Sequence, residues 1–184
     1  MLGEKMEEAL NGQLNAELYS AYLYLSMSAY YHSINLPGFA NWMRVQWAEE
    51  LKHVFKFFDY IAENGRVVLR PVEAPPAEWD SALAPFEAAY SHEQKVTGLI
   101  NALAELATSQ GDEVTRDFLQ WYIDNRSRKR SPLQRQSGRS RLPAIPTTSS
   151  TSSTESSVSA NRACRTVFNR IEFSCFVMRG EVVP

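Results

Sequence analysis

Glu17, Glu50, His53 and Glu93 occupy positions where their chemistry looks out of place. Glu17 shares a helical stripe with Leu10, Leu14, Ala21 and Tyr24. Glu50 falls on one face with Met43, Trp47, Val54 and Phe57, and His53 follows it at i+3, so both side chains point the same way. Glu93 sits among Ala89, Tyr90, Val96 and Ile100. Burying one unpaired carboxylate is costly, and burying three together would normally force protonation. A divalent or trivalent cation removes that penalty. Carboxylate oxygens with one imidazole and no thiol suit iron or manganese. The bland alternative puts each carboxylate at the edge of its stripe with its head in water. A lone E-x-x-H also carries little information. Three helices with one such carboxylate each, and E-x-x-H on the second, favour the metal. The other histidines fit no such pattern: His32 stands at a helix end, and His92 lies beside Glu93 on a different face. Tyr24 reads as core packing that also touches the site.

The elements that must position these residues are helical. Residues 4–32 carry apolar positions at helical spacing, and "SINLPG" (33–38) breaks the pattern. A second helix is predicted over 39–64, ending at Gly65, a common C-terminal cap residue. A third is predicted from Ser81 to Gln110, with Pro85 in its first turn, where a missing N–H is tolerated. "QGDE" then turns into a fourth. The connection 66–80, "RVVLRPVEAPPAEWD", is far longer than the roughly 2–8 residues that join antiparallel neighbours. Fully extended it reaches about 50 Å at ~3.3 Å per residue. A helix over 39–64 is about 39 Å long at ~1.5 Å per residue. The connection can therefore travel the whole bundle and set helices two and three parallel. The predicted fold is all-α: a four-helix bundle with one long crossover between helices two and three, and a truncated fourth helix.

Composition divides the chain sharply. Its 184 residues, 44% of them hydrophobic, can supply a core, and the overall net charge is −2. Residues 1–124 hold 8 Lys and Arg against 18 Asp and Glu, whereas 125–184 hold 11 against 3. Both cysteines, Cys164 and Cys175, lie in the second part. A first part without cysteine fits a reducing cytosol. "MLGEKMEEAL" is charged where a signal peptide is apolar, and no run is long enough to span a bilayer, so a soluble, cytoplasmic protein is expected.

The stretches "LNAELYSAYLYLSMSAYY", "GFANWMRVQWAEELKHVFKFFDYI" and "FLQWY" closely resemble the non-haem ferritins of bacteria and archaea, over residues 4–124. Ferritin-like di-iron bundles are themselves a standard case of carboxylates and E-x-x-H projecting into a bundle core. The resemblance implies an iron-storing subunit of a hollow homo-oligomeric cage, oxidising Fe(II) with oxygen or peroxide at a di-iron centre and collecting Fe(III) mineral. It implies that Glu17, Glu50 and His53 hold the first iron, with Glu50 bridging to a second that Glu93 also binds. Glu49 matches a position near an accessory third iron site, and Tyr24 matches a tyrosine beside the centre. A rubrerythrin-like peroxidase normally supplies two E-x-x-H motifs, and this chain has one.

The departure from the family comes at "LQWYIDNRSRKRSP" (119–132). There the family continues into a stretch resembling "xEQxEEE", whose Gln and a later Glu complete the second iron site. Here Arg126 and Lys129 stand at those positions, and two cations would repel iron. Codons can be chosen for "DNRSRKR" (124–130) as GAC AAC AGG TCG AGG AAG AGG. One G inserted after GAC makes them read "DEQVEEE". In that frame "TTSSTSSTESS" (147–157) can read "DDLLYLFDREL", which resembles the family's terminal segment, and "PAIP" (143–146) can read "AGDS". Degeneracy leaves the first base of each shifted codon free, so part of the agreement follows from that choice. The second and third bases, which carry the apolar pattern, are set by the displayed residues.

The chain thus reads as a helical bundle over 1–125 and a basic Ser/Thr-rich tail over 126–184, out of frame and disordered apart from a short strand near "TVFNRIEFSCFVM". The expected consequence is poor folding, no cage and weak iron oxidation. Two rivals remain. "RSRKRS" has the charge of a nucleic-acid-binding arm, though that leaves unexplained why helix four stops before its iron ligands. A non-catalytic helical bundle that binds a partner would instead be stabilised by Glu17→Ala.

Overall fold

The computed structural model describes residues 1–124. Helix α1 spans Glu4–Ser33, α2 Pro37–Asn64 and α3 Ala84–Gln110. A fourth, α4, runs from 113 to 124, the last described position. Among the described residues there is no strand. The described residues form an all-α four-helix bundle with one long crossover. None of these helices is long and apolar enough to cross a membrane.

Hydrogen bonds and ring contacts fix the helix directions. The Leu2 amide, just before α1, donates to the Asn64 carbonyl at the end of α2 at 2.9 Å, so these helices are antiparallel. Tyr31, late in α1, donates to the carbonyl of Ala82, just before α3, at 2.7 Å, so α3 is also antiparallel to α1. Helices α2 and α3 therefore run parallel, as the long connection requires. Tyr60 meets Thr115, Phe57 meets Phe118 and His53 meets Tyr122, which sets α4 antiparallel to α2.

The crossover is tied along α1 by side chains gripping its main chain. Asn11 Nδ2 donates to the Arg66 carbonyl at 2.9 Å, and Asn11 Oδ1 accepts from the Val68 amide at 2.7 Å. Further along, Ser26 reaches the Pro76 carbonyl at 2.6 Å and Tyr30 the Trp79 carbonyl at 3.0 Å. A proline-rich segment cannot pair as a strand, so its carbonyls need side-chain donors, and α1 supplies them.

Several boundaries differ from the sequence expectation. Helix α2 starts two residues early because Pro37 sits in its first turn, where no N–H is required. Ser81 lies just before α3, whose N-cap is Leu83, and its hydroxyl accepts from the Ala84 amide at 3.2 Å. Gly65 ends α2 in an extended conformation with φ −169°, not a left-handed one. A Cβ there would meet the Glu7 carboxylate, which accepts from the Arg66 amide at 2.8 Å. The left-handed cap is at Gly111, φ 67°, with the Asp112 amide returning to the Ala107 carbonyl at 2.9 Å. Among the described residues the other left-handed position is Asn35, φ 56°, in the tight α1–α2 turn, a conformation that asparagine tolerates.

Two apolar clusters fill the bundle. One gathers Met6, Leu10, Leu14, Phe57, Ile61, Leu103 and Tyr122. The other gathers Tyr24, Met27, Tyr31, Met43, Phe86 and Ala89. Along α1 the switch between them falls between Leu14 and Leu23, and along α2 between Met43 and Val54. The expectations for residues 126–184, including the basic tail and its strand, lie outside the described residues.

Candidate metal centre

Glu17, Glu50 and Glu93 occupy the layer between the two clusters, and none of the three is more than 1% exposed. Each sits there because its helix continues an apolar stripe on either side. The stripe carries the charged residue inward whatever its solvation preference.

Glu17, Glu50 and His53 converge. Each offers one ligand atom, and these three atoms all lie within 4.8 Å of one another. His53 Nδ1 is 2.9 Å from Glu50 Oε2 and 3.7 Å from Glu17 Oε2. Burial works to lower the His53 pKa. Hydrogen bonding and negative charge from Glu17 and Glu50 outweigh it, so the imidazole is held above its usual range. The E-x-x-H spacing therefore delivers both side chains to one point, as i+3 geometry requires.

Glu93 lies outside that group of three. It accepts from the Tyr24 hydroxyl at 2.8 Å through Oε1. Glu49 is half-buried on α2 and also lies outside the group. His92 does not join either, since its Nε2 pairs with the buried Ser20 hydroxyl at 2.8 Å. His32 is exposed at the end of α1.

Sequence reasoning missed three neighbours of the site. Gln13 Nε2 donates to Glu17 Oε1 at 2.7 Å, and both side chains are buried. Its signal was available: a polar residue one turn before Glu17, on an otherwise apolar face. Tyr122 donates to the His53 carbonyl at 3.1 Å and lays its ring 5.6 Å from the imidazole. Trp121 stands edge-on to His53 at 5.8 Å, with Lys56 Nζ 3.9 Å from the centre of its ring. Nothing in the sequence pointed to either contact, because contact across helices leaves no trace in one helix's pattern.

The donor set is carboxylate oxygen and imidazole nitrogen with no thiolate, which fits a first-row divalent cation such as iron or manganese. Burial of several carboxylates beside one imidazole gives a cation a reason to bind, since it offsets charge that water no longer solvates.

A family model described as a ferritin-like domain matches residues 7–141. A bacterial non-heme ferritin of Bacteroides fragilis is 37% identical over 124 residues, 67% of this chain and 78% of that protein. One from Escherichia coli O157:H7 is 41% identical over 124 residues, 67% of this chain and 75% of that protein. Among solved structures, an open-pore ferritin from Archaeoglobus fulgidus is 53% identical with a TM-score of 0.73, covering 74% of this chain and 85% of its own. A Chlorobium tepidum ferritin is 37% identical with a TM-score of 0.71, covering 73% and 83%.

Proposed function

Because the chain belongs to the ferritin family, we propose that it is an iron-storage subunit whose Glu17, Glu50 and His53 bind Fe(II) as substrate at a ferroxidase centre. The convergence of those three buried side chains carries the reading. Glu50 would bridge to a second iron that Glu93 also binds, with Glu49 near an accessory third and Tyr24 holding Glu93 in place. Two Fe(II) ions give up one electron each. With two protons, those electrons reduce one oxygen molecule to hydrogen peroxide, or one hydrogen peroxide to two waters. The buried carboxylates offset the extra positive charge as each ion is oxidised.

Storage implies a shell. The subunits would assemble as a homo-oligomeric cage in the cytoplasm, enclosing Fe(III) mineral. Tyr22, Leu25, Val68 and Leu69 are exposed apolar side chains on α1 and the crossover, and contact with other copies would cover them.

The chain with Arg126 and Lys129 in place would oxidise iron weakly and assemble poorly, because the second iron position lacks its fourth-helix ligands. Glu17, Glu50 and His53, the proposed ligands of the first iron, all lie within residues 1–124. A nucleic-acid role finds no support in the bundle, whose acidic residues outnumber basic ones 18 to 8 over residues 1–124.

Aerobic Fe(II) oxidation, followed by ferric absorbance, tests the assignment. Glu17→Ala and Glu50→Ala should abolish it. If both variants keep the parent rate, or if Glu17→Ala only stabilises a chain that takes up no iron, the bundle is a non-catalytic partner-binding protein instead.

A further inference from the structure

Gln13 lies one turn before Glu17 on α1 and is 3% exposed. Its amide nitrogen is 2.7 Å from Glu17 Oε1, a bond that joins two buried side chains. The other carboxylate oxygen, Oε2, is the one turned to His53, 3.7 Å from Nδ1. The two oxygens of Glu17 thus face different partners: one a neutral donor on its own helix, the other the imidazole. A buried primary amide is a poor choice for packing alone, because an apolar side chain of that length would fill the space without desolvating a polar group. A lysine or arginine at this place would bring a charge that competes with a cation. A neutral N–H fixes the carboxylate without one.

We propose that Gln13 is a positioning residue, holding Glu17 by Oε1 so that Oε2 is the oxygen that meets a divalent cation. The inference rests on the reading of Glu17, Glu50 and His53 as a metal site. Partners behind a ligand set its orientation, and removing one weakens metal binding by about 10–100-fold.

Co(II) added to the full-length chain without oxygen is the probe, with affinity and visible absorption as readouts. Gln13→Met keeps the side chain's length and removes the donor. It should bind Co(II) at least about tenfold more weakly, with an altered absorption envelope, while the metal-free protein unfolds close to the parent's temperature. Gln13→Asn, which keeps the amide but draws it back, serves if the methionine variant does not fold, and the same loss is expected. Asn11→Ala is the control. Asn11 is equally buried on the same helix but reaches the crossover, so its variant should lose thermal stability and keep the parent's Co(II) affinity. Parent affinity and spectrum in Gln13→Met, or in Gln13→Asn where that variant stands in, overturn the proposal. A parent that binds no Co(II), or a Glu17→Ala variant that binds as well as the parent, overturns the metal-site reading and this inference with it.

Discussion

Tyr24 on α1 donates its phenolic hydrogen to Glu93 Oε1 on α3 across 2.8 Å, with both side chains out of water. Glu93 is the one acidic residue of the central layer whose helix is reached by the crossover rather than by a short turn. Its link to α1 therefore joins positions 69 apart, on either side of the crossover. The same tyrosine packs in the apolar cluster beside the layer, so one side chain serves both core and site.

Removing only that hydroxyl isolates its share. Tyr24→Phe keeps the ring and leaves Glu93 one donor short. Urea unfolding of the metal-free protein should show a loss of about 1–3 kcal/mol, the range for a buried bond to a carboxylate. No loss would mean that Glu93 finds an equivalent donor elsewhere.

Metal and fold should be linked. A cation that binds only the folded chain stabilises it by mass action, about 2.7 kcal/mol at a hundredfold excess over Kd. Thermal melts with anaerobic Fe(II) should shift upward and return when a chelator is added. Glu50→Ala should show no shift, because it removes the carboxylate nearest His53. A parent melt unmoved by the ion would contradict the assignment.

The crossover's attachment can be tested at one residue. Asn11 takes bonds from both ends of its amide group, to the Arg66 carbonyl and from the Val68 amide. Asn11→Ala leaves both backbone groups without those partners, and a loss of about 2–3 kcal/mol in chemical denaturation is expected. A loss under ~0.5 kcal/mol would show that water replaces the side chain there.

Resequencing the gene from genomic DNA across codons 120–160 should reveal one additional base near codon 125. The restored chain, with Gln and Glu in place of Arg126 and Lys129, should assemble and oxidise Fe(II) faster than the displayed one. If the displayed reading is confirmed, Fe(II) oxidation by that chain separates a decayed gene from a working protein with a basic tail.

The legible part of this fold was whatever a single helix records about itself. Glu17 and Glu50 were identifiable because each interrupts its own apolar stripe. The parallel arrangement of α2 and α3 followed from the length of 66–80 alone. Relations between helices were less visible. The Gln13–Glu17 bond could have been read from i, i+4 spacing, but the Ser20–His92 pair could not, since 72 positions separate them. Gly65 misled for a different reason. Glycine after a helix usually signals a left-handed turn, whereas here it makes room for a carboxylate arriving from α1.

The strap from 66 to 82 is held through its carbonyls and two amides, and every side chain in those bonds belongs to α1. The recognition therefore reads a path and not a spelling. Apart from Val67, Trp79 and Ala82, which pack on the apolar clusters, residues along the strap are free to diversify, provided that the chain keeps its length and its extended course. The exterior of the bundle can thus be rewritten while the buried carboxylate layer stays as it is.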